Sequence, residues 1–265
     1  MVVVCCLSRD SAVSKITGVG AKDFVDGLSA SRLPGLGRVS LAYFSDSRGR
    51  ILTETLIMVH SDSEVDLITA ATAQWHDAEI FLRQAPDGIN VTDHTRETEC
   101  LLVTGPNASD ILKPLVIGHD LSKPWLSVRL DGAVAGQPCV LIRVSFAGEL
   151  GWEIHADPEA MPAIWDALSE VGVAPFGMYA LNSMRIEKGY RAWKVDLSTD
   201  YSLIEGGLNR FIKFDKPQDF LGKAALLAEK RKAERRGLSR WLWMQVIWMR
   251  LTWHRSGMAI KLLVK

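Results

Sequence analysis

The stretch Arg143-Val-Ser-Phe-Ala-Gly-Glu-Leu-Gly-Trp-Glu-Ile154 alternates in character and is broken by Gly148 and Gly151. That pattern predicts a strand, a tight turn and a second strand, with Trp152 and Ile154 on one face of the pleat and Glu153 on the other. Downstream, helical spacing predicts one helix over Pro158 to Val171 and another over Phe176 to Lys188. The second has Met178, Leu181 and Met184 on its apolar face. Arg185 falls at the edge of that stripe, where its stem can be buried while its guanidinium reaches into a cleft. A carboxylate on a strand and a guanidinium on a helix edge are thus available to one pocket.

Such a pair has two readings. It can form a structural ion pair, or it can present charge-assisted, bidentate contacts to a flat heterocycle with adjacent N–H groups and a carbonyl, the edge that a pterin offers. The residues of this stretch alone leave both open.

Upstream, the order of signals is mixed. Ala21 to Leu28 reads as a short helix after Gly18-Val-Gly20, which lacks the third glycine and the following acidic residue of a dinucleotide-binding turn. Residues Arg38 to Phe44, Ile51 to His60 and Val65 to Ala70 read as an antiparallel meander with a turn at Ser45 to Gly49. Ala73 to Gln84 reads as an amphipathic helix containing Trp75, Ile80 and Phe81. Strands follow near Asn90-Val91, over Cys100 to Thr104, Ser127 to Leu130 and Val140 to Phe146, with a helix over Ser109 to Val116 between them. The interspersed helices and antiparallel strands, without regular βα alternation, place the chain in the α+β class.

The middle strand of the meander contains Leu52-Thr-Glu-Thr-Leu-Ile57. Glu54 is either an exposed residue on the polar side of a half-buried strand or a buried acid with a shifted pKa.

The 265 residues are 48% hydrophobic and carry a formal net charge of +0, which removes any general electrostatic case for nucleic acid or an anionic membrane surface. Cys5, Cys6, Cys100 and Cys139 form no CxxC and have no metal-like spacing with the six histidines. They read as reduced thiols of an intracellular protein, with no metal site expected. The N-terminal Met-Val-Val-Val-Cys-Cys-Leu is too short to span a bilayer, lacks signal-peptide features and reads as a core strand.

Four quoted segments occur in a characteristic order: Gly148-Glu-Leu-Gly-Trp-Glu-Ile154, Ala180-Leu-Asn-Ser-Met-Arg-Ile-Glu-Lys-Gly-Tyr-Arg-Ala-Trp193, Asp196-Leu-Ser-Thr-Asp-Tyr-Ser202 and Phe214-Asp-Lys-Pro-Gln-Asp-Phe-Leu-Gly-Lys-Ala-Ala-Leu226. Over residues 5 to 236 the chain resembles the folate-binding region of the glycine-cleavage T-protein (aminomethyltransferase) family. It resembles most closely the C-terminal half of the dimethylglycine and sarcosine dehydrogenases. The resemblance implies that fold, tetrahydrofolate as cofactor, and transfer of a one-carbon unit from a small methylated amine or an aminomethyl carrier to give methylenetetrahydrofolate. It implies Glu153 on the pterin edge and Arg185 orienting the other polar groups of the ligand. Phe146 and Trp193 would line the site, and Glu54, where family members usually have aspartate, would be the catalytic acid or base. Phe146 is a departure, since tyrosine is common there. FAD would enter only through a separate or missing N-terminal domain, or through a flavoprotein partner. The resemblance is compatible with a cytoplasmic protein, or one of the mitochondrial matrix. A non-catalytic folate-binding protein and an inactive fragment of such a dehydrogenase are the alternative readings.

These expectations divide the chain into a folate-binding region, 1–237, and an atypical tail, 238–265. The tail has no acidic residue and holds Trp241, Trp243, Trp248 and Trp253. It shows neither the clean polar face of an interfacial helix nor the β-rich pattern that follows in the resembling families.

Overall fold

A computed structural model describes residues 3–6, 11–117 and 120–235, and the tail 238–265 lies outside them. In chain order the strands are β1 (Val3–Cys6), β2 (Ser11–Thr17), β3 (Val39–Ser45), β4 (Ile51–Ser61), β5 (Glu64–Ala70), β6 (Asn90–Asp93), β7 (Glu99–Thr104), β8 (Val128–Val134), β9 (Gln137–Ile142), β10 (Gly151–Ala156) and β11 (Ala174–Pro175). The helices are α1 (Ala21–Leu28), α2 (Gln74–Gln84), α3 (Ala108–Leu112), α4 (Met161–Glu170), α5 (Met178–Glu187) and α6 (Lys223–Arg235). The expected α+β class holds.

The strands form a five-stranded sheet, β3-β4-β5-β2-β6, and a six-stranded sheet, β11-β1-β7-β10-β9-β8. All their pairings are antiparallel except the two-residue contact of β1 with β11. The meander is as expected, and the N-terminal apolar run supplies β1.

Parity along β4 explains how the five-stranded sheet is covered. Thr53, Thr55, Ile57 and Val59 point to one side, where Ile57 and Val59 join Ile16, Val25, Phe44, Leu67 and Phe81 in the cluster beneath α1 and α2. The opposite side carries Glu54, Leu56 and Met58. Leu56 and Met58 pack with Val13, Val39 and Ile68 against Ile142, Val128 and Val140, which belong to the other sheet. The two sheets therefore meet face to face over part of their area. Beyond that contact, Tyr43 and Ile51 are covered by residues 193–226 through Trp193, Leu197, Leu203, Leu208 and Leu226. The outer face of the six-stranded sheet packs on α3 and α4 through Leu101, Val103, Trp152, Ile154 and Ile164. Part of its inner face is covered by α5, with Cys100 and Leu102 against Leu181.

Several boundaries move. β9 stops at Ile142 rather than continuing to Phe146. Thr104 and Ser145 hydroxyls bond each other at 3.0 Å, and a Cβ on Gly151 would lie 2.5 Å from the Ser145 side chain. The chain therefore turns away from the ladder before Gly148, which takes φ 74. The expected helix over Ser109 to Val116 shrinks to α3, and on α2 Phe81 is buried while Trp75 is 73% exposed.

The turn between β3 and β4 is fixed from outside. Ser45 Oγ donates to the Leu221 carbonyl at 2.7 Å. Gly222, at φ +85, comes so close that a Cβ there would sit 2.3 Å from the Asp46 carbonyl oxygen. Gly222→Ala is expected to cost about 2–4 kcal/mol through positive-φ strain and backbone overlap. Urea denaturation with an unchanged midpoint would show that the approach is not needed.

Candidate functional site

Glu54 lies at the seam between two clusters on the inner face of its sheet. Its antiparallel partner on β3 is Tyr43, which belongs to the cluster under residues 193–226, while its neighbour Leu56 belongs to the inter-sheet cluster. The Tyr43 hydroxyl donates to the Glu54 carboxylate. Burial pushes the carboxyl up to about 7, against the opposing pull of the Tyr43 hydrogen bond and the nearby Arg191 charge. Burial and the adjacent carboxylate in turn hold the Tyr43 hydroxyl strongly protonated. Glu54 is partly buried, neither a fully solvated side chain on a polar face nor a fully enclosed acid. A carboxyl poised near neutrality, with a fixed donor on one side and a cation nearby, can exchange a proton with a bound group at physiological pH.

Trp193 packs in the same cluster as Tyr43 and is 6% exposed. Its indole Nε1 is buried without a hydrogen-bond partner among the described residues. The His76 ring lies 6.5 Å from it, centroid to centroid.

Glu153 occupies the inner face of the six-stranded sheet. It is opposite Leu102 on one side and Ile142 on the other, so it stands between the patch covered by α5 and the inter-sheet cluster. Its side chain is 14% exposed, and its carboxylate is 3.0 Å from His155 Nε2. Phe146 is partly buried against Cys100, Leu102 and Leu181 on the same face. The two candidate carboxylates thus flank the contact between the sheets.

Arg185 corrects an expectation. It is on the buried stripe of α5, not its edge, and is 2% exposed, whereas Met178 is 40% exposed. Its guanidinium does not reach into a cleft with Glu153. It turns inward, with Nε and Nη2 donating to Asn182 Oδ1 at 2.9 and 2.6 Å, and Nη1 donating to the Tyr190 carbonyl at 2.9 Å and to the Asp196 carboxylate. Asp196 also accepts the Ala192 N–H at 2.9 Å. This network closes the loop that carries Arg191 and Trp193. Arg185 therefore braces residues 190–196, whose Trp193 packs with Tyr43.

Tyr43 and Arg191 were not foreseen from the sequence. Counting the hairpin back from the Ser45–Gly49 turn would have brought Tyr43 near Glu54, but the bulge between Phe44 and Ser45 shifts the register. Two clefts stand out, of about 590 Å³ beside Arg38, Lys123 and Arg129 and about 290 Å³ beside Arg143, Ser145 and Tyr190. None of Glu54, Phe146, Glu153, Arg185 or Trp193 lines either cleft.

Comparison with known proteins agrees with this architecture. The family model described as the GCVT N-terminal domain matches residues 11–216. Mitochondrial dimethylglycine dehydrogenase from Homo sapiens is 33% identical over 233 residues, which cover 84% of this chain and 27% of that protein. An aminomethyltransferase from Saccharopolyspora erythraea is 32% identical over 208 residues, covering 77% of this chain and 56% of that one. The chain spans about a quarter of the first relative and just over half of the second. The crystal structure of glycine cleavage system aminomethyltransferase T from Bartonella henselae shares the fold, with a TM-score of 0.75 at 20% identity over 87% of this chain and 63% of that one.

Proposed function

We propose that this chain, which belongs to the family of the GCVT N-terminal domain, binds tetrahydrofolate at the inner faces of its two sheets and serves one-carbon transfer to it. The observation that carries the reading is the Glu54 cluster: a carboxyl raised to about 7 by burial, held by Tyr43 and feeling the charge of Arg191. The donor set suits the ligand. Glu153 is a largely buried acceptor, Phe146 offers an aromatic surface, and Trp193 holds an unpartnered N–H.

Tetrahydrofolate, when bound, supplies the nitrogens that take up the one-carbon unit. Glu153 accepts hydrogen bonds from the pterin edge and fixes its orientation. Glu54 takes or directs the proton at the reacting nitrogen, and Tyr43 keeps that carboxyl in place. Arg185 acts at one remove, by holding residues 190–196 against the cluster.

The one-carbon donor in this proposal is an aminomethyl carrier or a small methylated amine such as sarcosine or dimethylglycine. With an amine donor, a flavoprotein partner or a further domain carrying FAD would perform the oxidation. No helix among the described residues is long and apolar enough to cross a membrane, and we place the protein in the cytoplasm or a mitochondrial matrix. Residues 1–237 form the folate-binding region in this reading, with 238–265 as a separate tail.

Glu153→Ala tests the binding mode directly. Loss of a bidentate charged contact is expected to cost about 2–4 kcal/mol, or roughly 30- to 1000-fold in tetrahydrofolate affinity by calorimetry. Equal affinities in the two proteins would remove Glu153 from the site.

A further inference from the structure

The inner face of the six-stranded sheet carries a second chemical feature that linear spacing hides. β7 and β10 are antiparallel with His155 directly opposite Cys100. Glu153, two residues before His155, emerges on the same face. Cys100 Sγ, a Glu153 carboxylate oxygen and His155 Nε2 consequently lie within 4.8 Å of one another. From the geometry we infer that Cys100, Glu153 and His155 form a three-ligand site for a borderline-soft divalent cation, Zn2+.

Three observations carry this. The first is spacing. Tetrahedral Zn2+ with ordinary bond lengths to sulfur, nitrogen and oxygen separates its donor atoms by roughly 3.3–3.6 Å. Here Sγ to Nε2 is 3.5 Å and Oε2 to Nε2 is 3.0 Å, both within a few tenths of an ångström of those separations, and the thiol and carboxylate lie within 4.8 Å of each other.

The second is charge. Glu153 is 14% exposed, and its one ion-pair partner among the described residues is His155. A largely buried carboxylate gains from a cation. The other cluster of comparable composition, His60, Glu64 and Asp66, differs in this respect. Lys15 Nζ already stands 2.7 Å from Glu64 and 3.9 Å from Asp66.

The third is ligand type. A thiolate and an imidazole favour Zn2+ over Mg2+ or Ca2+, which prefer oxygen. Cys100 and His155 are 2% and 6% exposed, so the ligands sit on a packed strand pair rather than a loose surface. Binding displaces the Cys100 thiol proton to solvent and takes the imidazole in its neutral form.

This inference does not depend on the folate reading, since it needs only the three donors. If Glu153 also holds the pterin, metal and folate exclude one another at that side chain.

The test uses the full chain, purified with a non-chelating reductant. Equilibrium dialysis should find about one tightly held Zn2+ per chain. Co2+ in its place should give the intense near-ultraviolet band of a thiolate–cobalt bond, and that band should persist when Cys5, Cys6 and Cys139 are all changed to serine. Loss of an outer-shell partner alone typically weakens a metal site about 10- to 100-fold, so Cys100→Ser and His155→Gln should each exceed about tenfold. The Co2+ band of the unaltered chain reports thiolate ligation even where a variant fails to fold. Absence of stoichiometric Zn2+, absence of the band, or binding that falls with His60→Gln but not with Cys100→Ser would overturn the assignment.

Discussion

Glu54→Gln is expected to lower one-carbon transfer to tetrahydrofolate by about 10²- to 10⁴-fold, the usual contribution of a positioned acid or base, while leaving tetrahydrofolate affinity within a few-fold. Glutamine keeps an oxygen for the Tyr43 hydroxyl, so the hairpin contact survives and only proton transfer is removed. The unaltered protein should show activity rising with pH through about 7, because Glu54 accepts a proton only once ionised. The same shift has a stability consequence. Burial raises the folded-state value from the ordinary 4.5 to about 7, so the folded chain binds more protons than the unfolded one between these limits. The contribution of Glu54 to stability is greatest below about 4.5 and declines by up to about 3 kcal/mol as pH rises to 7. Glu54→Gln should flatten that decline. If the variant turns over normally, or the pH dependence of stability is the same in both proteins, Glu54 is not the proton-handling group.

Arg185→Leu is expected to destabilise the fold by about 2–4 kcal/mol, read from denaturant midpoints. Leucine leaves the Tyr190 carbonyl and Asn182 Oδ1 without their donor and removes the cation beside Asp196. The estimate sits below the largest losses for buried ion pairs because the Asp196 side chain, 38% exposed, can turn to water. Arg185→Lys keeps the charge but cannot bridge three acceptors with a planar fork, and it should fall between the two. Folate affinity should then drop only in proportion to the loosening of residues 190–196. A lysine variant with unchanged stability and sharply reduced folate affinity would instead put the guanidinium in direct contact with ligand.

The legible parts of the sequence were those whose cause is local. Alternation placed the meander and put Glu153 on the face opposite Trp152 and Ile154, and the ordered segments between Gly148 and Leu226 carried the family. Helical spacing located α5 and its packed Leu181 and Met184, but it wrongly included Met178 and left Arg185 at the edge. An apolar count favours Met178 over Arg185, whereas a guanidinium with internal acceptors can be buried and a methionine at a helix start need not be.

The amino-acid sequence alone determined the α+β class, the meander and the approximate positions of α1, α2, α4 and α5, and it singled out Glu54, Glu153 and Arg185, because side-chain parity and turn chemistry act over a few residues, whereas Phe146 and Trp193 came only with the family resemblance. The tertiary structure alone decided that Glu54 is held by Tyr43 and feels the charge of Arg191, that Arg185 braces a loop, and that His155 faces Cys100. Each of these depends on strand register or on packing between distant segments. A single bulge, such as that between Phe44 and Ser45, changes which side chains meet, and the contacts of remote strands are set by how whole faces bury together.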